Sequence, residues 1–275
     1  VSSSRPFTPR STSTTSSKRK AKSMDELMAT GPKYVDALLL EGTTLGRGGI
    51  CTPSLSEADL EAAFAERFKK TDGLILVQTS PQNIDRMVTI YRACLKSGRH
   101  LVIDLYAASV LEATGNASIP QSHWQHINLA IPSQQRVQIK TNRWFDALSR
   151  HSANRIYLRN DIAPNTGKFV LLFRNTWMRD LEREQCLASA CLIHSQWEGY
   201  LKEASWQTVD RWRARHGIPI HQIHTSGHAS PGDLQRFAEA VSPKVLVPIH
   251  SANPQSFRTL SHNVECHADG EWWEV

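Results

Sequence analysis

The sequence predicts an α/β protein with a doubly wound, mostly parallel sheet. From residue 54 onward, short aliphatic runs alternate with segments that repeat apolar residues at helical spacing, a pattern typical of parallel strands joined by helices. The chain has 275 residues, enough for one large domain or two modest ones with a substantial core. Its hydrophobic content of 40% is that of a soluble globular protein, and no apolar run approaches the ~20 residues of a membrane helix.

The strands are predicted from aliphatic runs that are bounded by turn-forming residues. The predicted strands are residues 34–40, 74–77, 101–105, 155–158, 168–173, 190–194 and 245–249. A closing hairpin is predicted for residues 263–267 and 271–275, which flank the turn sequence Asp269-Gly270. Residues 116–153 are less regular and carry only one predicted helix, near residues 143–149.

The other helices are predicted from apolar residues three and four positions apart. They are residues 54–70, 81–96, 107–114, 177–184 and 206–215, with a short helical turn at 25–30 and a helical interval between residues 228 and 250. Ser54 and Glu57 have the spacing of a capping box at the first long helix. Trp206, Val209 and Trp212 form a stripe at three-residue spacing, which we predict to be core packing rather than a surface for stacking nucleic-acid bases.

The charge of the chain is unevenly distributed. The formal net charge is +6, but residues 1–22 contain six Lys or Arg and no acidic residue, so the remainder is close to neutral. Basicity is therefore weak evidence for a nucleic-acid partner. Residues 1–23 are Ser/Thr-rich and are predicted to be a disordered tail. Five scattered cysteines without a Cys-x-x-Cys motif favour reduced thiols, and with no secretory signal visible we expect a cytoplasmic protein.

Three residues occupy positions typical of functional sites in α/β proteins. Glu41 follows the predicted strand 34–40 and opens a glycine-rich loop, and His250 directly follows the strand 245–249. His228 lies between them in the small-residue sequence Ser226-Gly227-His228-Ala229, where backbone N–H groups can approach a ligand closely. Carboxyl ends of strands are where such proteins place their chemistry. Two imidazoles at such positions are suited to binding a metal, moving a proton, or both, whereas a histidine at a strand end is more often structural.

With these residues in place, the chain resembles the β-CASP branch of the metallo-β-lactamase-fold nucleases, which includes ribonuclease J and the pre-mRNA 3′-end cleavage nuclease. Three family motifs are matched in order, and the interval between the last two also agrees. They are Glu41-Gly42-Thr43, Ser226-Gly227-His228-Ala229 and Pro248-Ile249-His250. The resemblance covers about residues 34–275. It is specific as a set of three motifs, although each motif alone is weak.

The resemblance also has clear departures. The His-x-His-x-Asp-His motif, which supplies most zinc ligands in the family, does not occur, and the closest spacing is His221-Gln222-Ile223-His224. The resemblance therefore implies the carboxyl-terminal portion of such a nuclease, with partial αββα metallo-β-lactamase elements at both ends. The implied domains are a tail (1–23), a partial metallo-β-lactamase segment (24–50), a β-CASP domain (51–217) and a return into the metallo-β-lactamase fold (218–275).

The function that the resemblance implies is di-zinc hydrolysis of RNA phosphodiester bonds, with DNA as an alternative substrate. In that interpretation His250 is the one zinc ligand from this chain, His228 contacts the scissile phosphate and donates a proton, and Glu41 orients His228. Backbone N–H groups of Ser226, Gly227 and Ala229 hold phosphate oxygens. We expect the chain alone to be inactive, with a complementing metallo-β-lactamase half or a second copy as partner and no membrane association. The alternative is a non-catalytic nucleic-acid-binding subunit or scaffold.

Overall fold

The computed structural model describes residues 24–45, 55–225 and 227–274. The chain divides into two compact units, Val1–Ser54 with Ser226–Val275, and Leu55–Thr225. The predicted disordered tail, the glycines from Gly46 to Gly49 and the predicted phosphate-binding residue Ser226 lie outside the described residues.

The larger unit is built on a six-stranded sheet in the order β4-β3-β5-β2-β6-β7. Its strands are β2 (Ile75–Gln78), β3 (His100–Ile103), β4 (Ile127–Leu129), β5 (Phe169–Leu172), β6 (Cys191–His194) and β7 (Ile220–Gln222). All five pairings among these strands are parallel, so the predicted α/β class with a mostly parallel sheet is confirmed. Strand β7 pairs with β6, and the larger unit therefore runs on to Thr225, beyond the boundary predicted after residue 217.

The helices alternate with these strands along the chain. Residues 24–30 are helical (α1). The others are α2 (Glu57–Lys70), α3 (Ile84–Ser97), α4 (Leu105–Glu112), α5 (Ser133–Thr141), α6 (Phe145–His151), α7 (Met178–Arg183), α8 (Ala204–Arg215) and α9 (Pro231–Val241). Short 3₁₀ segments occupy Ser152–Asn154, Ala163–Lys168, Asn175–Trp177, Glu198–Lys202 and Pro254–Thr259, and Leu158–Ile162 is a π-helical turn. None of the helices in the described ranges is both long and apolar enough to cross a membrane.

Hydrophobic side chains form a core on each face of the six-stranded sheet. On one face lie apolar residues of α2, α3 and α4, including Phe64 and Phe68. On the other face Trp206, Val209 and Trp212 of α8 are 7%, 3% and 3% exposed, which confirms that this stripe is core.

Two predicted helix starts were wrong because local side-chain bonds decide them. The capping box of α2 is Ser56 with Asp59; the predicted box of Ser54 with Glu57 includes Ser54, which lies outside the described residues. The Glu57 carboxylate is engaged by other residues, since it accepts hydrogen bonds from Arg86 and Thr89. Similarly, β3 ends at Ile103 and α4 begins at Leu105, because the Asp104 side chain caps the helix by accepting a hydrogen bond from the Ala107 N–H at 2.8 Å.

Two predicted β elements were also wrong. Residues 155–158 do not form a strand: Arg155 makes one bridge to Leu129, and the Asp161 carboxylate then accepts the N–H of Tyr157 and helps to start the π-helical turn. The closing hairpin is absent from residues 263–274, since residues 271–274 carry no strand and Val264 bridges Leu246 in parallel. Sequence reasoning also missed β4 and α5 in the stretch that it described as irregular.

The smaller unit contains a two-stranded parallel sheet of β1 (Ala37–Glu41) and β8 (Val245–Ile249). The register pairs Ala37 with Val245 and Glu41 with Ile249, so both strands end at the same edge. A small core packs α9 against this sheet. It contains Leu40, Leu45, Leu234, Ala238, Leu246 and Phe257.

Candidate active site around Glu41, His228 and His250

The candidate site lies at the carboxyl edge of the two-stranded sheet. Glu41 is the last residue of β1, and His250 directly follows β8. Because the strands are parallel and pair Glu41 with Ile249, both side chains are delivered to the same edge. His228 is brought to the same place by the segment that precedes α9, and its Nδ1 lies 3.1 Å from a carboxylate oxygen of Glu41. The three predicted residues therefore form one cluster.

Glu41 is held as a carboxylate by several donors. Its Oε1 accepts the N–H of Thr43 at 2.9 Å and the Thr43 hydroxyl, and His228 bonds on the Oε2 side. Burial alone would raise the pKa of the Glu41 carboxyl, but the hydrogen bonds from Thr43 and then His228 outweigh it, so the pKa lies below its usual value. An ionised Glu41 is the state that can accept a hydrogen bond from His228 Nδ1–H.

Thr43 connects the other members of the cluster. Its hydroxyl oxygen is 3.3 Å from His250 Nδ1 and 3.2 Å from the His250 carbonyl oxygen. The adjacent Thr44 hydroxyl donates to the carbonyl of Ala229 at 2.6 Å, which ties the loop after β1 to the loop of His228. Sequence reasoning included Thr43 only as part of a motif and did not predict that it bonds both Glu41 and His250. The signal for this role was a threonine two residues after a glutamate at the end of a strand.

His250 is placed by an unusual backbone conformation. It has a φ of +49°, in the left-handed region that costs a residue with a Cβ roughly 1–2 kcal/mol. This turn directs the ring back toward β1, where Nδ1 lies 3.5 Å from Glu41 Oε1. The His228 and His250 ring centroids are 6.1 Å apart. A strained residue at the end of a strand, beside a carboxylate and a second imidazole, is typical of functional positions.

We expect the His250→Gly variant to be about 1 kcal/mol more stable than His250→Ala, because glycine relieves the left-handed strain and alanine retains it. Urea unfolding of the two variants measures the difference. Ser242 is a matched control, since its φ is also +49° and it ends α9. Equal stabilities for Gly and Ala at position 250, with the expected difference at position 242, would contradict the observed conformation of His250.

The predicted phosphate-binding loop is partly described. A Cβ added at Gly227 would meet no heavy atom within 4 Å, so the backbone is open on that side. Ala229 is tied through its carbonyl to Thr44. Together these features leave the Gly227–Ala229 backbone accessible next to His228.

A dinuclear zinc site does not fit the residues that the structure describes. Within residues 24–45, 55–225 and 227–274, no group of three or more His, Cys, Asp or Glu could hold a metal ion. In the cluster itself, Thr43 and His228 already occupy the Glu41 carboxylate. That leaves the His250 imidazole as the expected ligand, and one ligand is too few for zinc at structural-site affinity.

Comparisons with known proteins add information about the fold alone. No family model matches the chain, and no curated protein matches it. Among solved structures, it is similar to the crystal structure of a protein of unknown function from Enterococcus faecalis V583, with a TM-score of 0.65 and 18% sequence identity. The match covers 92% of this chain and 54% of that one, so the chain spans about half the length of this neighbour.

His221 and His224 have the spacing closest to the missing zinc motif, but each imidazole has an arginine as a neighbour. Burial and then the positive charge of Arg67 lower the pKa of His221. Burial and then Arg86 lower the pKa of His224, whose Nδ1 is 3.4 Å from Arg86 Nη1. A guanidinium beside each imidazole opposes a bound cation, so this pair is not a metal site.

Sequence reasoning missed a buried polar network in the larger unit. Arg86 is 0% exposed and donates to Glu57 Oε1 at 3.0 Å and to the Ser195 carbonyl at 3.3 Å. The Thr89 hydroxyl donates to the other Glu57 oxygen at 2.6 Å, and the Ser195 hydroxyl donates to the carbonyl of Ile223 at 2.6 Å. The network joins α2, α3 and the ends of β6 and β7, and its role is structural.

Proposed function

We propose that the chain is the carboxyl-terminal portion of a β-CASP metallo-β-lactamase-type nuclease that hydrolyses RNA. In this proposal the larger unit is the β-CASP domain and the smaller unit is part of the metallo-β-lactamase fold. The single observation that carries it is the Glu41–His228 hydrogen bond of 3.1 Å beside His250, which unites three motifs that lie far apart in the sequence. Zinc would be held mainly by residues that this chain does not supply.

The chemistry of the cluster suits proton transfer to a leaving oxygen. Glu41 accepts a hydrogen bond from His228 Nδ1–H and so fixes the ring orientation and tautomer, as carboxylates commonly do for catalytic imidazoles. His228 then donates a proton through Nε2 to the leaving oxygen of the phosphodiester. Backbone N–H groups of the adjacent loop, including Gly227 and Ala229, hold phosphate oxygens. His250 contributes one imidazole to a metal centre completed from outside the chain.

The sheet of the smaller unit supports a complementing partner. Two parallel strands are fewer than an independently stable sheet needs, and parallel sheets are normally covered on both faces. Leu39 in the middle of β1 is 53% exposed and Ile249 of β8 is 41% exposed. In the part of the chain that the structure describes, β1 pairs with β8 alone. The unpaired strand edges are suited to adding a strand, and the exposed apolar side chains to being covered, by a metallo-β-lactamase half or by a second copy.

The test compares the chain alone with the chain extended by the coding sequence immediately upstream of it. For the chain alone we expect well under one zinc per molecule by elemental analysis and no cleavage of a 5′-labelled single-stranded RNA. For the extended chain we expect a His-x-His-x-Asp-His motif, bound zinc and cleavage. The proposal of an incomplete site would be contradicted if the chain alone bound stoichiometric zinc and cleaved RNA, and if the His250→Ala substitution abolished that cleavage.

The alternative is a non-catalytic nucleic-acid-binding subunit or scaffold in the cytoplasm. The observation that favours it is the lack of a metal-binding group among the residues that the structure describes. It predicts RNA binding that is unaffected by Glu41→Gln, His228→Asn and His250→Ala, and no zinc motif upstream. Retention of Glu41, His228 and His250 in one cluster favours the nuclease, because a binding module has no use for this arrangement.

A further inference from the structure

The carboxyl edge of the six-stranded sheet is a second place where the fold gathers functional side chains. We define this edge by the residues that directly follow β2, β3, β5 and β6, which are neighbours in the order β3-β5-β2-β6. The helix after β3 packs on one face of the sheet and the helix after β6 on the other. In open α/β sheets, ligands bind outside the carboxyl ends of strands at the point where connections change faces.

The first feature of this edge is a tyrosine covered by an arginine. The Arg174 guanidinium, just after β5, lies 4.4 Å from the ring centroid of Tyr106, which follows β3. The buried Asp104 fixes the guanidinium, with Arg174 Nη1 3.2 Å from its carboxylate. Gln82 donates to the Tyr106 hydroxyl at 3.2 Å. Tyr106 is nevertheless 42% exposed, so a flat, pre-oriented aromatic and cationic surface faces outward.

A second aromatic pair follows β6 at the same edge. Trp197 and Tyr200 pack edge to face with centroids 5.6 Å apart, and they are 49% and 44% exposed. The indole lies over the backbone of Gly199, where an added Cβ would come within 2.3 Å of the ring, so glycine allows this position. Three strand spacings of about 4.8 Å separate β3 from β6 in the sheet.

We infer that the carboxyl edge of the larger unit binds single-stranded RNA by stacking its bases on Tyr106 with Arg174 and on Trp197 with Tyr200. Every base has a π-face, and proteins that bind single strands use exposed aromatic rings and arginine planes for this purpose. Double-stranded RNA buries those faces within its own stack and is excluded. The inference rests on the proposed function for its choice of RNA, but it concerns residues that are separate from Glu41, His228 and His250.

The contrast with the other tryptophans of the unit supports this assignment. Trp206 and Trp212 are 7% and 3% exposed, because they fill the core. Trp197, although as large and apolar, remains half exposed at an edge where ligands bind. Trp144 is equally exposed at 48%, but it lies beyond the far end of α5, a helix about 13 Å long. It therefore provides a matched control.

The experiment measures binding of a 5′-fluorescent 12-nucleotide single-stranded RNA to the full chain by anisotropy. Parallel titrations use the same strand with abasic sites, the same RNA as a duplex and a DNA strand of the same sequence. We expect the single strand to bind more than tenfold tighter than the abasic strand or the duplex. Tyr106→Leu and Trp197→Leu should each weaken binding about tenfold, whereas Tyr106→Phe, Trp197→Phe and Trp144→Leu should leave it near wild type.

Equal binding of the abasic strand or the duplex would overturn the inference, and so would equal losses for Trp144→Leu and Trp197→Leu. Tighter binding of DNA than of RNA would overturn the choice of RNA. Circular dichroism of each variant excludes unfolding, and the abasic strand and the duplex, which are tested on the unaltered chain, keep the test valid if a leucine variant does not fold. Zinc content and RNA cleavage of the extended chain test the proposed nuclease, whereas the aromatic variants are scored by RNA binding alone, so failure of the nuclease and failure of this surface give different results.

Discussion

Replacement of Arg86 by methionine is expected to lower the free energy of unfolding by about 3 kcal/mol. Arg86 is completely buried and is the cationic partner of Glu57, whose side chain is only 28% exposed. Methionine fills much of the same volume but leaves Glu57 without its guanidinium and the Ser195 carbonyl without this donor. Removing one member of a buried ion pair costs more than the pair contributes, because the remaining charge loses both water and its partner.

Urea unfolding monitored by tryptophan fluorescence measures this effect. The matched control is Arg150→Met in the same unit, since Arg150 pairs with Glu112 while the two side chains are 57% and 43% exposed. Exposed pairs contribute roughly 0–1 kcal/mol, so this variant should unfold almost as the wild type does. Similar losses of stability in both variants would contradict this prediction, because burial of the ion pair would then make no difference to the cost of removing its arginine.

In the extended, cleavage-competent protein, His228→Asn is expected to lower kcat by about 10²–10⁴-fold, the range for loss of a general acid. Asparagine keeps a polar group near the position of Nδ1 but has no group at the position of Nε2 that can donate a proton. Glu41→Gln should cause a smaller loss, because its amide still reaches His228 Nδ1 but carries no charge to hold the ring. Because His228 acts on the leaving group, kcat should fall more than KM rises.

Single-turnover RNA cleavage separates the chemical step from binding. The control is His216→Asn, since His216 also pairs with a carboxylate, at 2.8 Å from Glu182, but lies at the end of α8, outside the cluster. It should cleave at the wild-type rate. If His228→Asn raised KM and left kcat unchanged, His228 would be a phosphate contact and the proton donor would have to be another group.

Much of the architecture follows from local patterns in the sequence. Aliphatic runs such as 74–77 and 190–194 predict buried central strands, and Phe64 and Phe68 recur at helical spacing on one face. The α/β class and most element positions therefore follow from hydrophobic periodicity. Glu41 and His250 could be placed at strand ends for the same reason. Their chemical roles stay predictions, since the comparisons show the fold alone.

Other features depend on contacts between distant residues. At the start of α2 the capping box is Ser56 with Asp59, while the Glu57 carboxylate is engaged by Arg86 of α3. The sequence 263–275 has the signals of a hairpin, but Val264 instead bridges Leu246. In both places, a residue that the local pattern assigns to one structure is bonded to a partner elsewhere in the chain.

The sequence by itself determined the α/β alternation, the burial of the Trp206 stripe and the three residues on which the proposed site depends. Only the tertiary structure decided that β1 and β8 are parallel partners, which brings Glu41 and His250 to one edge within reach of His228 and Thr43. It also decided which aromatic rings are core and which face outward at the carboxyl edge. The physical reason is that periodicity is a local property, whereas register and exposure depend on partners far along the chain.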